Sequence, residues 1–337
     1  MEHATTPDIS IITPVYNPGE LFSVCLESLA AQTIFERIEV VLVDDGSTDG
    51  SQDLCDEFAA QHTNVRVFHQ ENRGQGAARN RAVAEARGTY LQFVDSDDSI
   101  DANACETLLT HAERSGADIV WGDYAGKSLF AGPVAELAKR GPVPMHDYMR
   151  TALGANLFFI TPCVQLIRAS MLARNGVAFP EGRIFEDMHW LLRLILTDAT
   201  VQRVDLPFYQ YNIGDHRSST TVVTPKRLMD AVDVVYAMID DIEAANPPRE
   251  VREVAEAYVA SDIAILTRTF IRHAPKRVQE LIRMRMNDTY LHYAQQTQLL
   301  PKGDGLLGAT FVTDPELFES EIERIYGKPK KGEVPTA

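Results

Sequence analysis

The chain contains 337 residues, of which 45% are hydrophobic and 24% are charged, a composition typical of a globular protein with a large core. Its formal net charge of −16 argues against general nucleic-acid binding. The four cysteines are widely scattered, which is typical of reduced thiols. The first residues show no signal-peptide pattern, and no run of about 18 apolar residues occurs. We therefore expect a cytoplasmic protein that is at most peripheral on the inner face of the plasma membrane.

The first part of the chain alternates between strand-like and helical patterns. Helical patterns separate five short apolar runs that predict strands, at residues 8–13, 38–43, 65–68, 90–94 and 117–121. This alternation predicts an α/β fold with a doubly wound, mostly parallel sheet flanked by helices, in which ligands bind beyond the carboxyl ends of the strands. Four polar loops follow such ends, and we expect them to lie along one rim: residues 14–19, 44–50, 72–76 and 95–98.

Beyond the fifth predicted strand the patterns change twice. Glycines and prolines between residues 126 and 144 predict a surface excursion, and residues 156–211 return to mixed α/β patterns. After Pro225 the apolar residues recur at the spacing of one helix face, interrupted at Pro247 and Pro248. We therefore predict a helical carboxyl-terminal region.

Three carboxylates follow the fourth predicted strand: Asp95, Asp97 and Asp98. Clustered negative charge at the end of a buried strand needs a neutralising partner. Because Asp95 and Asp97 are two residues apart, both can lean into the same space, and their hard oxygen atoms suit Mg²⁺ or Mn²⁺. An Asp-rich turn that caps the next helix is the plainer interpretation. A calcium loop is a third alternative, which Ile100 disfavours because the sixth loop position demands glycine.

The usual glycine-rich phosphate loops are absent from this sequence. No G-x-x-x-x-G-K-[ST] pattern occurs, and the turn after the first strand holds only Gly19. The pair Gly74 and Gly76 is followed by Arg79, where a dinucleotide-binding fold needs a third glycine. A nucleotide would therefore be held by carboxylates, an aromatic side chain and a metal ion.

Four motifs occur in order within about the first 120 residues: Thr13-Pro-Val-Tyr-Asn17, Val41-Leu-Val-Asp-Asp-Gly-Ser-Thr-Asp49, Asn72-Arg-Gly74 with Ala78-Arg-Asn80, and Phe93-Val-Asp-Ser-Asp-Asp98. Together they resemble the donor half of the family-2 inverting glycosyltransferases with the GT-A fold. The resemblance implies a nucleotide-sugar donor, usually a UDP-sugar, bound along the rim with Mn²⁺ or Mg²⁺.

The resemblance also implies how the nucleotide base is held. Pro14 and Tyr16 would line the base pocket, where Tyr16 packs on the pyrimidine. Asp44 would accept the N3–H of uracil. The plainer alternative is that Asp44 and Asp45 only open the turn before the second helix, and both roles are compatible because one carboxylate can cap while the other binds.

On the same resemblance, the third and fourth motifs would bind the diphosphate and the metal. Arg79 would face the diphosphate as a permanent cation, unless it is a solvated helix arginine. Asp95 would lie near the ribose and the metal, and Asp97 would be the principal metal ligand. The motifs imply further contacts with the donor nucleotide from Asn17, Asp45, Asn72, Gly74 and Ser96.

The stretch Arg183-Ile-Phe-Glu-Asp-Met-His-Trp190 resembles the Glu-Asp motif of many bacterial members of this family. On that resemblance Asp187 is the base that removes the proton of the acceptor hydroxyl, and Glu186 places the acceptor or tunes the base. Two carboxylates ahead of an apolar helix also suit the helix dipole, which is the structural alternative. One base suffices because inversion is a single displacement without a covalent intermediate.

Two basic stretches remain. The loop that holds Asp215, His216 and Arg217 lies where the family often has a basic segment that closes over the diphosphate, so His216 would be a third metal ligand and Arg217 a phosphate contact. A solvated loop is the alternative. Residues 268–288 carry six cations against two carboxylates, which indicates either a solvated helical face or a contact with anionic lipid headgroups or a polyanionic glycan acceptor.

We therefore expect a metal-dependent inverting glycosyltransferase that moves a hexose-type sugar from a UDP-sugar to a hydroxyl of a cell-surface glycan, such as a capsule, lipopolysaccharide or teichoic acid. Residues 1–122 would bind the donor and residues 123–222 would form the acceptor-binding and catalytic-base half of the same domain. Residues 223–326 would be helical, with contacts to acceptor, membrane or a second copy, and residues 327–337 a flexible tail. The alternatives are a sugar-nucleotide pyrophosphorylase and a non-catalytic nucleotide- or glycan-binding protein.

Overall fold

The computed structural model describes residues 6–158, 160–212, 224–269 and 271–300, and a few residues between 310 and 320. Within these residues the chain forms two compact units. The first comprises residues up to 148 together with 160–212, and the second comprises residues 149–158 together with those from 224 onward. The predicted tail, residues 327–337, lies outside the described residues.

The first unit is built on one mixed sheet. Its strands are β1 (Ile9–Val15), β2 (Ile38–Asp44), β3 (Val65–His69), β4 (Tyr90–Phe93), β5 (Ser99–Ile100), β6 (Ile119–Tyr124), β7 (Val143–Pro144), β8 (Gln165–Arg168) and β9 (Thr200–Gln210). They lie in the order β3-β2-β1-β4-β8-β6-β9-β5, and β7 pairs with β9. The first four strands are parallel, and β8 runs antiparallel to both of its neighbours. The predicted, mostly parallel α/β sheet is confirmed.

Helices flank this sheet and also occur in the segment predicted as a surface excursion. They are α1 (Leu21–Ala30), α2 (Ser51–Gln61), α3 (Gln75–Glu85), α4 (Ala104–Ser115), α5 (Gly132–Ala138), α7 (Ala169–Asn175) and α8 (Glu186–Ile195). Helix α6 (Met145–Ala155) begins in the first unit, and its residues from 149 onward belong to the second. Every residue of β1, β2 and β4 is buried, as expected for parallel strands that are covered on both faces. Pro133 lies in the first turn of α5, where its fixed φ suits a helix.

The polar loops after β1, β2 and β3 meet, as predicted for carboxyl ends along one rim. The main-chain N–H of Asn17 donates to Ser47 Oγ at 3.2 Å. Asp45 accepts from the main-chain N–H of Gly74 at 2.8 Å. The loop after β4 belongs to the same rim, because β4 pairs in parallel with β1.

The second unit is helical, as predicted. Its longer helices are α9 (Pro225–Ala245), α10 (Arg249–Thr269), α11 (Lys276–Arg285) and α12 (Asp288–Ala294). The predicted interruption is confirmed: α9 ends at Ala245, and Asn246 caps it in a left-handed conformation with a φ of 39°. Among the described residues, no helix is both long and apolar enough to cross a membrane.

Candidate active site

The centre of the rim is Arg79, one turn into α3. Its guanidinium forms ion pairs with Asp95 at 2.8 Å, Asp187 at 2.7 Å and Glu186 at 3.2 Å. The Arg79 side chain is only 1% exposed, so the alternative of a solvated helix arginine is wrong. One buried cation therefore joins Asp95, in the fourth motif, to both carboxylates of the Glu-Asp motif, which lie 107 and 108 residues after Arg79 in the chain.

Close packing between α3 and the segment before α8 brings these groups together. Asn80 donates from Nδ2 to the carbonyl of Phe179 at 2.9 Å and accepts from the Phe179 N–H at 2.8 Å. Gly76 allows the approach, because a Cβ at this position would lie 2.4 Å from the carbonyl oxygen of Pro180. Gly76 and Asn80 therefore hold the segment at Phe179 and Pro180 against α3.

An aromatic cluster packs against the Arg79 guanidinium. The guanidinium carbon lies 5.1 Å from the centroid of the Phe179 ring. Phe179 in turn stacks on Trp190 with centroids 3.9 Å apart and an interplanar angle of 3°, and Phe93 meets both rings edge-on. A buried cation over an aromatic face is stabilised by the ring quadrupole. Sequence analysis missed Phe179, because nothing in the motif spacing points to it.

The Glu-Asp pair sits at the start of α8, where a carboxylate also suits the helix dipole. Burial raises the pKa of Asp187; the charge of Arg79 opposes that effect and the charge of Glu186 adds to it. Burial likewise raises the pKa of Glu186, again against Arg79. The Asp187 side chain is still 27% exposed. A carboxylate with a raised pKa that reaches open space has the properties of a general base.

The three carboxylates after β4 have three different environments. Asp95 is 24% exposed and accepts from Gln75 Nε2 at 2.9 Å, in addition to Arg79. Asp97 is exposed, whereas Ser96 beside it is buried. Asp95 and Asp97 thus offer carboxylate oxygens on the open side of the rim.

Asp98 is an internal residue rather than part of that open side. It is 2% exposed and accepts from Tyr209 Oη at 2.8 Å and from the main-chain N–H of Asn212 at 2.9 Å. Burial, followed by the charge of Asp95, raises the pKa of Asp98 to about 7. Its contacts anchor the carboxyl end of β9 at the rim.

The donor set for a metal is compatible with Mg²⁺ or Mn²⁺. Within the part of the chain that the structure describes, no three acidic, histidine or cysteine side chains group as a metal site. Mg²⁺ is commonly held by one or two carboxylates together with substrate phosphates, so Asp95 and Asp97 fit the ion without a third protein ligand. His216 and Arg217, predicted as metal ligand and phosphate contact, lie outside the described residues.

Asp44 and Asp45, both predicted to contact the nucleotide, differ in their partners. Asp44 is buried, accepts from the Ser47 N–H at 3.0 Å and lies 3.1 Å from His69 Nδ1. Burial raises the pKa of Asp44, but hydrogen bonds from Ser47 and His69 outweigh it and lower the pKa below its usual value. Asp44 therefore closes the turn after β2, whereas α2 has Gly50 at its N-cap and no side-chain cap.

Asp45 is occupied by the loop that precedes α3. It accepts from Gln70 Nε2 at 2.8 Å, from the Arg73 N–H at 2.9 Å and from the Gly74 N–H at 2.8 Å. Its role in the structure is to hold that loop against β2. The φ of Gly74, +89°, lies in the region that favours glycine and lets the loop turn into α3.

The remaining predicted nucleotide contacts lie at the open end of β1 and in the loop after β3. Pro14 is a buried residue of β1, and Tyr16 just beyond it is 54% exposed. Asn17 and Asn72 are also exposed. An exposed aromatic ring at the mouth of a strand edge is available to pack on a planar ligand.

His69 is a residue that sequence analysis missed although a signal existed. It ends β3, and the parallel register places it opposite Asp44 at the end of β2. Aligning the carboxyl ends of the two predicted strands would have brought them together. Cys163 was also missed; its thiol donates to Asp95 Oδ2 at 3.6 Å, and no local pattern indicates that contact.

Comparison with known proteins identifies the family of the chain. The sequence model of glycosyl transferase family 2 matches residues 10–176. Glycosyltransferase GlyG of Streptococcus pneumoniae serotype 4 is 35% identical over 243 residues, which are 67% of this chain and 77% of that protein. The poly(ribitol-phosphate) beta-glucosyltransferase of Bacillus spizizenii is 31% identical over 248 residues, which are 71% of this chain and 38% of that protein.

The fold is shared with a solved glycosyltransferase structure. Residues 1–349 of S. aureus TarS, in complex with UDP-GlcNAc, align with a TM-score of 0.70 and 19% identity, over 94% of this chain and 90% of that one. The aligned range includes the helical unit, in which the sequence shows no motif of the family. The chain belongs to glycosyl transferase family 2, and the protein is a glycosyltransferase with a GT-A-like fold.

Proposed function

We propose that the protein is a metal-dependent inverting glycosyltransferase that moves a sugar from a UDP-sugar to a hydroxyl of a cell-surface glycan. The observation that carries the proposal is the Arg79 cluster, in which Asp95 and Asp187 bind the same guanidinium at 2.8 and 2.7 Å. A donor-side carboxylate and a base candidate therefore lie within reach of one substrate. Such proximity is what a single displacement requires.

In the proposed reaction Asp187 accepts the proton of the acceptor hydroxyl while that oxygen attacks the anomeric carbon. The bond from this carbon to the diphosphate oxygen breaks in the same step, and UDP leaves with the electron pair. Arg79 keeps Asp187 oriented and ionised before the attack, because a neighbouring cation favours the charged form of a carboxylate. Glu186 shares the same guanidinium and helps to fix the start of α8.

The donor nucleotide would occupy the rim between the first two loops. Tyr16, 54% exposed, would pack on the uracil ring, and Asp44 would accept its N3–H. Asp95 and Asp97 would hold Mn²⁺ or Mg²⁺, which when bound offsets the charge that develops on the leaving diphosphate.

Among the possible acceptors, we favour a polyol-phosphate polymer of the teichoic-acid type. The support is the name of one relative, a poly(ribitol-phosphate) beta-glucosyltransferase that is 31% identical. Family membership sets aside the pyrophosphorylase alternative. The non-catalytic alternative is tested by turnover.

A first prediction concerns the metal. With Mn²⁺ or Mg²⁺ present, UDP at about a hundred times its Kd should stabilise the protein by roughly 2.7 kcal/mol, and EDTA should remove most of that gain. Asp97→Asn should lose the metal-dependent part and keep the small remainder, because its side chain is proposed as a metal ligand. Thermal unfolding with UDP, with and without EDTA, provides the measurement. Asp53→Asn, an exposed change of equal charge on α2, is the control, and equal stabilisation by UDP in EDTA would contradict the metal role.

A second prediction concerns α11, for which we infer a contact with anionic lipid headgroups. Leu281 and Met284 are 51% and 82% exposed, and Arg277 lies on the same helical face four residues before Leu281. Fewer cations of residues 268–288 are available for a lipid contact than the sequence indicates. Arg285 pairs with Asp233, and Arg283 donates to the carbonyl of Phe311 at 2.9 Å. An exposed apolar pair beside a cation fits the surface of an anionic bilayer.

Sedimentation with phosphatidylglycerol vesicles tests the inferred lipid contact. Met284→Glu should reduce the bound fraction at least about threefold, because it places a carboxylate in the proposed contact. Val24→Glu, at a 47% exposed apolar position on α1, should leave binding unchanged. If Met284→Glu bound the vesicles as well as the wild type does, the inferred lipid contact would be wrong. If the wild type self-associated and Met284→Glu abolished that association, the surface would instead contact a second copy of the chain.

A further inference from the structure

His69 joins a buried carboxylate of the rim to an exposed carboxylate outside it. Its Nδ1 lies 3.1 Å from Asp44 Oδ2, and its Nε2 lies 3.2 Å from Asp56 Oδ1 on α2. The Asp44 side chain is 3% exposed, whereas those of His69 and Asp56 are 45% and 65% exposed. The imidazole therefore connects the proposed uracil acceptor to solvent through a chain of two polar contacts.

The main chain fixes the position of this histidine on both sides. Its Cα pairs in register with that of Asp44, and the N–H of Gln70 donates to the Asp44 carbonyl at 2.9 Å. Arg81 on α3 donates to the His69 carbonyl at 2.7 Å. These contacts fix the main chain of His69, and from that position its ring contacts both carboxylates.

Only an imidazolium can donate to both carboxylates at once, because a neutral imidazole has one N–H and one lone pair. In the neutral form, one carboxylate would face a ring lone pair and be repelled. The hydrogen bond to Asp44, with a further contribution from Asp56, raises the pKa of His69 against the opposing effect of burial.

The other groups around the ring do not replace this role. Arg81 donates to the main-chain carbonyl of His69, and its guanidinium lies over the ring of Phe68. Cys55 on α2 lies within electrostatic range of Asp44 and Asp56, and burial raises the pKa of its thiol to about 12, so it stays neutral. Asp44 and Asp56 are therefore the charges that govern the protonation of His69.

We propose that His69 is a positioning residue, held between Asp44 and Asp56, that orients Asp44 for recognition of the donor base. The proposal rests on the proposed function, in which Asp44 accepts the N3–H of uracil. It adds that the affinity for the donor falls as the pH rises through the titration of His69. Loss of that proton removes the positive charge beside Asp44 and leaves one of the two carboxylates facing a ring lone pair.

Calorimetric titration of UDP at constant Mg²⁺, between about pH 6.5 and about pH 8.5, tests the proposal. The Kd of the wild-type protein, relative to that of His69→Gln, should rise roughly three- to tenfold across this range. Because titration of UDP itself is common to all variants, only the ratio is compared. Asp56→Asn should move the rise to lower pH, since it removes one carboxylate that favours the imidazolium.

Asp56→Asn is the sharper variant, because Asp56 is exposed and lies outside the proposed nucleotide contacts. Glu57→Gln, an exposed change of equal charge on the next residue of α2, should leave the profile of the wild type unchanged. A profile that neither His69→Gln nor Asp56→Asn alters would overturn the role of His69 while UDP still binds. Absence of UDP binding to the wild type at any pH would instead refute the proposed function.

Discussion

Replacement of Asp187 by asparagine is expected to abolish sugar transfer while leaving the Kd for UDP near that of the wild type. An amide cannot take the proton of the acceptor hydroxyl, and removal of a general base costs typically about 10²–10⁴-fold in rate. Donor binding should survive, because Arg79 keeps its ion pairs with Asp95 and Glu186. Turnover measured as UDP release in the presence of acceptor, with a parallel UDP titration, separates the two effects.

Glu186→Gln is the matched comparison for this prediction. Glu186 lies on the same helix turn and binds the same guanidinium at 3.2 Å, but it is not assigned the proton. It should therefore lose much less activity than Asp187→Asn. If Asp187→Asn retained substantial transfer, the base would have to be another group, and Glu186 would be the first to test.

Replacement of Arg79 by methionine is expected to lower the free energy of unfolding by roughly 3–5 kcal/mol, because it leaves three carboxylates in a largely buried cluster without their cation. Arg73→Met provides the control. Arg73 pairs with Glu181 at 2.7 Å, the same length as the bond from Arg79 to Asp187, but its side chain is 64% exposed. An exposed pair contributes at most about 1 kcal/mol, so thermal unfolding of the two variants should differ clearly.

The pH dependence of Arg79→Met distinguishes lost charge from lost packing. The pKa values of Asp187 and Glu186 are already raised by burial, and Arg79 opposes that rise, so its removal raises them further. A carboxyl whose pKa is raised on folding destabilises the protein fully above the raised pKa, and the penalty shrinks as the pH falls from that value towards the pKa of the unfolded chain. The stability deficit of the variant should therefore shrink between about pH 8 and about pH 5.5. A deficit independent of pH would assign the effect to packing over Phe179.

The rim formed by the four polar loops was largely predictable from the sequence. Parallel strands place their carboxyl ends together, so the order of the four motifs was enough to bring residues 14–19, 44–50, 72–76 and 95–98 to one rim. The reversed direction of β8, which lies between β4 and β6, was not predictable. An apolar run of four residues does not indicate the direction in which it enters a sheet.

The roles within the aspartate cluster depended on distant contacts. Sequence spacing grouped Asp98 with Asp95 and Asp97, yet Asp98 is buried by Tyr209, which lies 111 residues further along the chain. The sequence likewise predicted that Arg79 faces either a ligand or solvent. Its burial results from the Glu-Asp motif, and only tertiary packing brings that motif to α3.

Release of UDP from a panel of UDP-sugars most directly tests whether this rim is a metal-dependent UDP-sugar site. Incubated with Mn²⁺, the wild-type protein should release UDP from at least one of them, and EDTA or Asp97→Asn should suppress the release. GDP- and ADP-sugars should yield little nucleotide, because a purine lacks the N3–H that Asp44 is proposed to accept in uracil. Release that persists in EDTA, or that occurs only from purine nucleotide sugars, would contradict a metal-dependent UDP-sugar site at this rim.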